Sequence, residues 1–482
     1  MRFSAASIRL ALTIIPRLLR VSVALSLLAI IPHTPQLAAQ TKPQSATESC
    51  AKFGSEYQDA GSDILTMQAY RSAVAGLLQL EDFKQLDCIA DSIRSNKSRF
   101  PGGFWQLRSF YRGVAEIQGH ATEEDWRARI ERLQKWTTTN PNSITARVAF
   151  AEAYINFAWH ARGNGMGDTV TDSGWKLFAQ RIDQARNTLD DASSLPIRCP
   201  EWYSAMLLVA RAQGWEIDKA AALQKQATVF APDYYYNYRS LAVYMLPKWE
   251  GQDGDASRFA EESANRVGGT QGDILYFQIA TGIVCACDEP EFTRMSWSRL
   301  QKGYEALEKQ YGSSVAMLNL VALMATKNGD SVAADAAFKR IGDNFDIEEW
   351  VSQDFFNQMK TWASQFAPLE ARSRTIKQEA AANALSPTGP QYQTKVEQAL
   401  AKILQECTKG ADDRSQFDVM LQVGADGIAK DAWMPHPTGV GNCVLKNVYD
   451  SNVKKEALFT PPPHADYWIK LALDPGVSLA TK

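Results

Sequence analysis

The chain has 482 residues, of which 45% are apolar and 22% charged, with 51 Lys plus Arg against 54 Asp plus Glu and a formal net charge of −3. This is the make-up of a folded globular protein of about two to four domains, and it excludes a disordered chain, a collagen-like chain and a multi-span membrane protein. The slightly acidic balance also excludes the clustered cationic excess that nucleic-acid binders set against phosphates.

At the N-terminus Arg2, Arg9, Arg17 and Arg20 precede any acidic residue, residues 21–31 are almost wholly apolar, and Leu37-Ala38-Ala39 ends in small side chains before Gln40. That order matches a secretory signal, so residues 1–39 are predicted to be a signal peptide. The apolar run is about half the roughly 20 residues that a bilayer core requires. An uncleaved anchor would have to add residues 10–15 across Pro16, Arg17 and Arg20. No lipobox cysteine follows, and no later segment approaches a membrane span. The mature chain is therefore expected to be exported, periplasmic or extracellular, without an integral span, and residues 40–61 to form a flexible leader.

Seven cysteines, Cys50, Cys88, Cys199, Cys285, Cys287, Cys407 and Cys443, include no CxxC, and histidines number five. No metal site or cofactor is expected from that pattern. Cys285-Ala286-Cys287 reads either as a redox or metal pair or as two ordinary cysteines. Cys407 with Cys443, in one small C-terminal unit, and Cys50 with Cys88 are the disulfide candidates, and the odd total leaves at least one thiol free or intermolecular.

From residue 62 to about residue 366 the pattern is helix after helix. Ile64, Met67, Tyr70, Val74 and Leu77, then Phe104, Leu107, Phe110, Tyr111, Val114 and Ile117, follow three- and four-residue spacing. Breakers fall between them: Pro101-Gly102-Gly103, Pro141, Pro196, Pro200, Pro232, Gly268-Gly269 and Gly329-Asp330. Pro200 and Pro232 each open a helix and stand close to one tetratricopeptide (TPR) period of roughly 34 residues apart. Pro141-Asn142-Ser143 opens a similar unit carrying Ala146, Ala149 and Ala153, and residues 314–345 form another. Residues 62–384 are thus predicted to be a mainly α, TPR-like array of helical hairpins, each burying its apolar face against the next.

Residues 385–394, with Pro387, Gly389 and Pro390, read as a linker to a small α+β domain over 395–482. A helix is predicted over 396–407. Phe417, Val419, Leu421 and Val423 alternate with Asp418, Met420 and Gln422 as a strand, Gly424-Ala425-Asp426-Gly427 as a hairpin turn, and residues 428–434 as the returning strand. A helix over 442–453 and a closing strand with Tyr467, Ile469, Leu471 and Leu473 complete the unit.

Two loops and an aromatic set are the candidate binding features. The glycine-rich stretch from Arg162 to Asp168 lacks a phosphate loop's Gly-Lys-Ser/Thr ending and a preceding strand, so it reads as a sharp insertion presenting Arg162, Asp168 and Asp172. The stretch from Pro247 to Asp255 offers Trp249, Glu250, Asp253 and Asp255 at a spacing unlike a calcium-binding EF-hand. Trp159, His160, Trp175, Trp202, Tyr203, Trp215 and Trp249 lie close by in sequence. Tyr234, Tyr235, Tyr236 and Tyr238 cannot all face inward on one helix, so some are expected to present ring and hydroxyl to a partner. No nucleophile or metalloprotease motif is present, and nothing in the spacing selects a catalytic pair among Glu152, Asp168, Asp172, Glu250 and Asp253.

Leu133-Gln134-Lys135-Trp136, Pro141-Asn142-Ser143-Ile144-Thr145-Ala146-Arg147, Ala158-Trp159-His160-Ala161-Arg162-Gly163, Gly174-Trp175-Lys176-Leu177-Phe178, Cys199-Pro200-Glu201-Trp202-Tyr203, Gln213-Gly214-Trp215 and the run from Leu246 to Asp255 together resemble a bacterial family known only as domain of unknown function 4034. The resemblance covers about residues 105–300 and implies a TPR-like helical fold without an established activity. Ala256 stands where that family tends to place an aromatic. The strand ending in Val423-Gly424-Ala425-Asp426-Gly427, the helix with Cys443 and the approach Phe459-Thr460-Pro461-Pro462 are similar to TonB-C-terminal-like domains over residues 412–476. That resemblance implies a module that pairs through a sheet edge, although no upstream anchor and Pro-rich spacer accompany it. The expectation is a scaffold for a peptide or protein of the cell envelope. The alternative is a carbohydrate-binding protein or hydrolase using the aromatic and carboxylate set.

Overall fold

A computed structural model describes residues 62–476, except 164, 166, 348, 351 and 413, together with Cys50, Lys52 and Phe53. The signal peptide and almost all of the leader expected above lie outside the described residues, as do two residues of the glycine-rich loop. The described residues form 18 α-helices and one small antiparallel sheet. No described helix is long and apolar enough to cross a membrane.

In chain order the first helices are α1 (Asp63–Gln79), α2 (Phe83–Asn96), α3 (Gln106–Ala115), α4 (Glu123–Thr139), α5 (Ile144–Arg162), α6 (Asp172–Ala192), α7 (Pro200–Ala212), α8 (Ile217–Phe230) and α9 (Tyr236–Tyr244). Then come α10 (Asp255–Val267), α11 (Gly269–Cys285), the short α12 (Glu289–Thr293), α13 (Trp297–Tyr311), α14 (Val315–Lys327) and α15 (Ser331–Ile341). Local chemistry sets their starts. Ser62, Asp82, Ser143, Thr171, Ser296, Ser314 and Asp330 each accept a first-turn N–H, Thr122 and Asp125 form a reciprocal capping box, and Pro200 occupies the first turn of α7.

The helices sort into two layers. α1, α3, α5, α7, α9 and α11 pack side by side in that order, while α2, α4, α6, α8, α10 and α13 pack onto them. Composition explains the sorting. α11 and α14 are buried along nearly their whole length, whereas α6 buries only a stripe that includes Phe178, Ile182, Ala185 and Leu189. Ala146, Ala149 and Ala153 are fully buried and let α5 approach its neighbours. At Gly303 a Cβ would stand 2.2 Å from the Asp273 carbonyl oxygen, so α13 lies backbone-close on α11.

The inner layer returns to its beginning. α14 packs on α1, and the Asp63 carboxylate at the start of α1 accepts the Val315 N–H at 2.8 Å, the Ala316 N–H at 3.4 Å and the Ser314 hydroxyl. It thus caps a helix some 250 residues away. The turn at residues 101–103 packs on α13, and the Gly102 N–H donates to Gly312 O at 3.2 Å.

Beyond α15 the 33-residue helix α16 (Gln353–Leu385) leads to the C-terminal unit of α17 (Gly389–Thr408), β1 (Phe417–Val423), β2 (Ala429–Trp433), α18 (Gly439–Val453) and β3 (Tyr467–Leu473). The expected linker over 385–394 is therefore only a turn at 386–388, because α17 begins at Gly389. β1 is the central strand, antiparallel to both neighbours, with Val419 opposite Leu471 and Leu421 opposite Ile469. The simple alternation expected for β1 fails at Met420, which is fully buried. One sheet face packs on α17 and α18, and Ile376 and Ala380 of α16 cover the other against Met420 and Trp468. Disulfides join Cys407 to Cys443 and Cys50 to Cys88, leaving Cys199, Cys285 and Cys287 as thiols.

Replacing Asp63 by Ala is expected to cost about 1–2 kcal/mol, the usual loss for a helix cap, and to lower the urea midpoint without changing the slope. An unchanged midpoint would mean that the α1–α14 junction does not need this carboxylate.

Candidate functional site

The inner helices line a cavity of about 500 Å³, within the range of small-ligand sites. Six of them contribute: Met67 and Arg71 from α1, Arg108 and Arg112 from α3, Ser204, Leu208 and Arg211 from α7, Tyr236, Arg239, Ser240 and Val243 from α9, Cys285 from α11 and Leu320 from α14. Helical spacing puts these residues on one face of each helix; Arg108 and Arg112 are one turn apart, as are Tyr236 with Arg239 and Ser240. Arg112 and Glu116 are shared with an adjoining recess of about 400 Å³ that Trp126, Trp159 and His160 line.

The five arginines are not equivalent. Arg108 reaches Glu152 of α5 at 3.0 Å and Glu201 of α7, and the Tyr234 hydroxyl donates to Glu201 as well. Glu152 and Glu201 are buried, at 4% and 0% exposure. Burial works against the Arg108 charge, yet Glu201 and then Glu152 hold its pKa well above the ordinary value. Burial pushes the Glu152 carboxyl well above its usual 4.5; Arg108 opposes this and the Glu201 charge adds to it. Two carboxylates around one guanidinium thus make Glu152 hold its proton more tightly than a carboxyl in water does. Arg112 pairs with Glu116 at 2.8 Å.

Arg211 is different. Burial lowers its pKa to about 10, opposed by Tyr244. Its guanidinium lies 5.0 Å from the Trp249 ring centre and 5.9 Å from that of Trp159, and its buried Nε has no hydrogen-bond partner among the described residues. Arg239 lies 3.9 Å from the Cys285 sulfur and 5.6 Å from the Tyr236 ring centre. The Cys285 thiol, solvent-exposed and hydrogen-bonded to Glu349 at 3.5 Å, is shifted upward by the neighbouring atoms that shield its sulfur and then by the Glu349 charge. At neutral pH it is a thiol, a weak nucleophile.

The residues singled out from the sequence divide accordingly. Trp159 and Trp249 meet edge to face at 6.1 Å and back Arg211, and Tyr236 lines the cavity. His160 sits in the adjoining recess. Arg162 donates to the carbonyls of Gly163 and Gly165 at 3.1 and 2.9 Å and lies over Trp159 and Trp175, so it stitches its own loop. Trp202 and Tyr203 lie elsewhere: Trp202 donates to Leu189 O at 2.8 Å, and buried Tyr203 receives a hydrogen bond from Arg198. Of the tyrosine run, expected to present some of its rings, one ring reaches the cavity. Tyr234, Tyr235 and Tyr238 are buried and only Tyr236 is half-buried, because Tyr234 and Tyr235 precede α9 and escape its periodicity.

The acidic residues are spread out. Asp168, Asp172, Glu250 and Asp253 are exposed away from the cavity lining. Asp255 accepts the Gln252 N–H at 2.8 Å, Asp253 faces Arg294 at 3.7 Å, and buried Glu291 accepts N–H groups of Gly254 and Ser257 at the start of α10. That loop's carboxylates serve its own fold. Sequence reasoning missed the arginines; their only trace is a single basic side chain, or an i,i+4 pair, within otherwise apolar helices. No protein-family model, curated protein or solved structure matches the chain.

Above pH 4.5 the folded state holds a proton at Glu152 that the unfolded state has lost, so this group's contribution is full below that pH and falls as pH rises. Glu152→Gln is expected to behave like the native protein near about pH 4 and to flatten the decline in unfolding free energy toward about pH 8. Parallel curves for the two proteins would show that Glu152 is ionised in the fold.

Proposed function

We propose that the chain is an exported protein of the cell envelope that binds a peptide or protein partner on TPR-like helical hairpins, with the inner-layer cavity as the place of binding. The observation that carries this reading is the convergence of six inner helices on one cavity walled by arginines, hydroxyls and Tyr236. The two-layer alternation of helices supports a repeat array of the TPR kind. The N-terminal sequence pattern and two disulfides support an oxidising destination outside the cytoplasm. The C-terminal unit, whose β2 and β3 are its edge strands, is in this reading a TonB-C-terminal-like module able to pair through an edge.

A hydrolase reading has less support. Of its candidate carboxylates, Glu152 is buried against Arg108, and Asp168, Asp172, Glu250 and Asp253 are exposed and off the cavity lining.

The test is affinity capture from an envelope extract with the mature chain, its Tyr236→Ala variant and a Val229→Ser control on exposed α8. Tyr236→Ala is expected to weaken partner binding about tenfold or more, with the control unaffected. Equal capture by all three proteins would place the partner elsewhere and end this reading.

A further inference from the structure

We propose that Arg211 and Arg239 together bind an oxyanion, a carboxylate or a phosphate, carried by the ligand that enters the inner-layer cavity. The inference rests on the cavity being the place of binding, as proposed above, and not on the partner being a protein.

Their partners separate these two side chains from Arg108 and Arg112. Arg108 is satisfied by Glu152 and Glu201, and Arg112 by Glu116. Arg211 has aromatic faces behind it, and its buried Nε has no hydrogen-bond partner among the described residues. Arg239 lies against the Cys285 thiol and the Tyr236 ring, and Glu349 reaches it only across that thiol, to which Glu349 is hydrogen-bonded. A guanidinium taken out of water without a counter-ion is costly, and the downward shift at Arg211 expresses that cost. It remains a cation at neutral pH, so an anion delivered to it gains a charge-assisted hydrogen bond in a site already stripped of much of its water.

The surroundings suit an oxyanion. α7 and α9 are packed neighbours, and both present their arginines to the same cavity. The planar fork of a guanidinium matches two oxygens of a carboxylate or phosphate. Trp159 and Trp249 hold Arg211 from behind through cation–π contact, which orders it before the ligand arrives. The hydroxyls of Tyr236 and Ser240 on α9 supply further donors on the cavity side.

The experiment is calorimetric titration of the mature chain, at low salt, with N-acetyl-diglycine, its C-terminal amide and inorganic phosphate. The expected result is binding of the free acid, of phosphate or of both, with no binding of the amide. Which of the two binds identifies the oxyanion as a peptide terminus or a phosphoryl group. Arg211→Gln and Arg239→Gln should each weaken that binding about tenfold or more, while Arg211→Lys, which keeps the charge but loses the fork, should fall between. Two variants on different helices guard against one failing to fold, and thermal unfolding without ligand identifies such a failure. Absence of binding by both oxyanions, equal binding of the amide, or indifference to both substitutions would overturn the inference. If a captured partner depends on Tyr236 while neither arginine matters, this inference fails and the binding reading stands. If oxyanions bind through the arginines but no partner depends on Tyr236, the reverse holds.

Discussion

Arg108 is caged by carboxylates from two other helices, and that cage fixes how the inner layer assembles. The guanidinium comes from α3, Glu152 from α5 and Glu201 from the first turn of α7, while Tyr234, in the turn before α9, closes on Glu201. A buried ion cluster contributes little net stability over a hydrophobic replacement, but removing one member strands the others at a cost of about 3–5 kcal/mol. Its service here is positional. With α3, α5 and α7 tied at one point, Arg211 further along α7 and Tyr236 at the start of α9 are brought to one wall.

Two other devices keep the assembly in place. The Asp63 carboxylate makes α14 and α1 neighbours by serving as the cap of the former. At the other end α16 packs on α15 and then covers the second face of the sheet, where Asn383 donates to Trp468 O at 2.9 Å. A small sheet is stabilised by burying an apolar face; here α17 and α18 cover one side and α16 the other.

Much of the secondary structure was legible because its determinants are local. Ser143, Pro200, Ser314 and Asp330 mark helix starts through side-chain caps or a fixed φ, and β1 and β3 are found where period-two alternation placed them. The departures from local pattern have a common origin. Alternation points Met420 outward because it assumes one wet face, and α16 dries it. Tyr234 and Tyr235 precede a helix that begins one residue later. In the loop before α10, Asp253 faces Arg294 and Asp255 accepts the Gln252 N–H. In each case neighbours beyond the local pattern set the side chain's surroundings.

Caps, breakers and periodicity act within a few residues, so the order of residues is enough to show a mainly helical chain with apolar stripes at helical spacing, a small α+β end and the places of the turns. Which helices lie inside and which charges are cancelled depends on packing between distant segments. Arg71, Arg108, Arg211 and Arg239 come from four separate helices, and no local spacing relates them; only packing brings them to one cavity and determines that Arg108 meets carboxylates while Arg211 meets two indole faces.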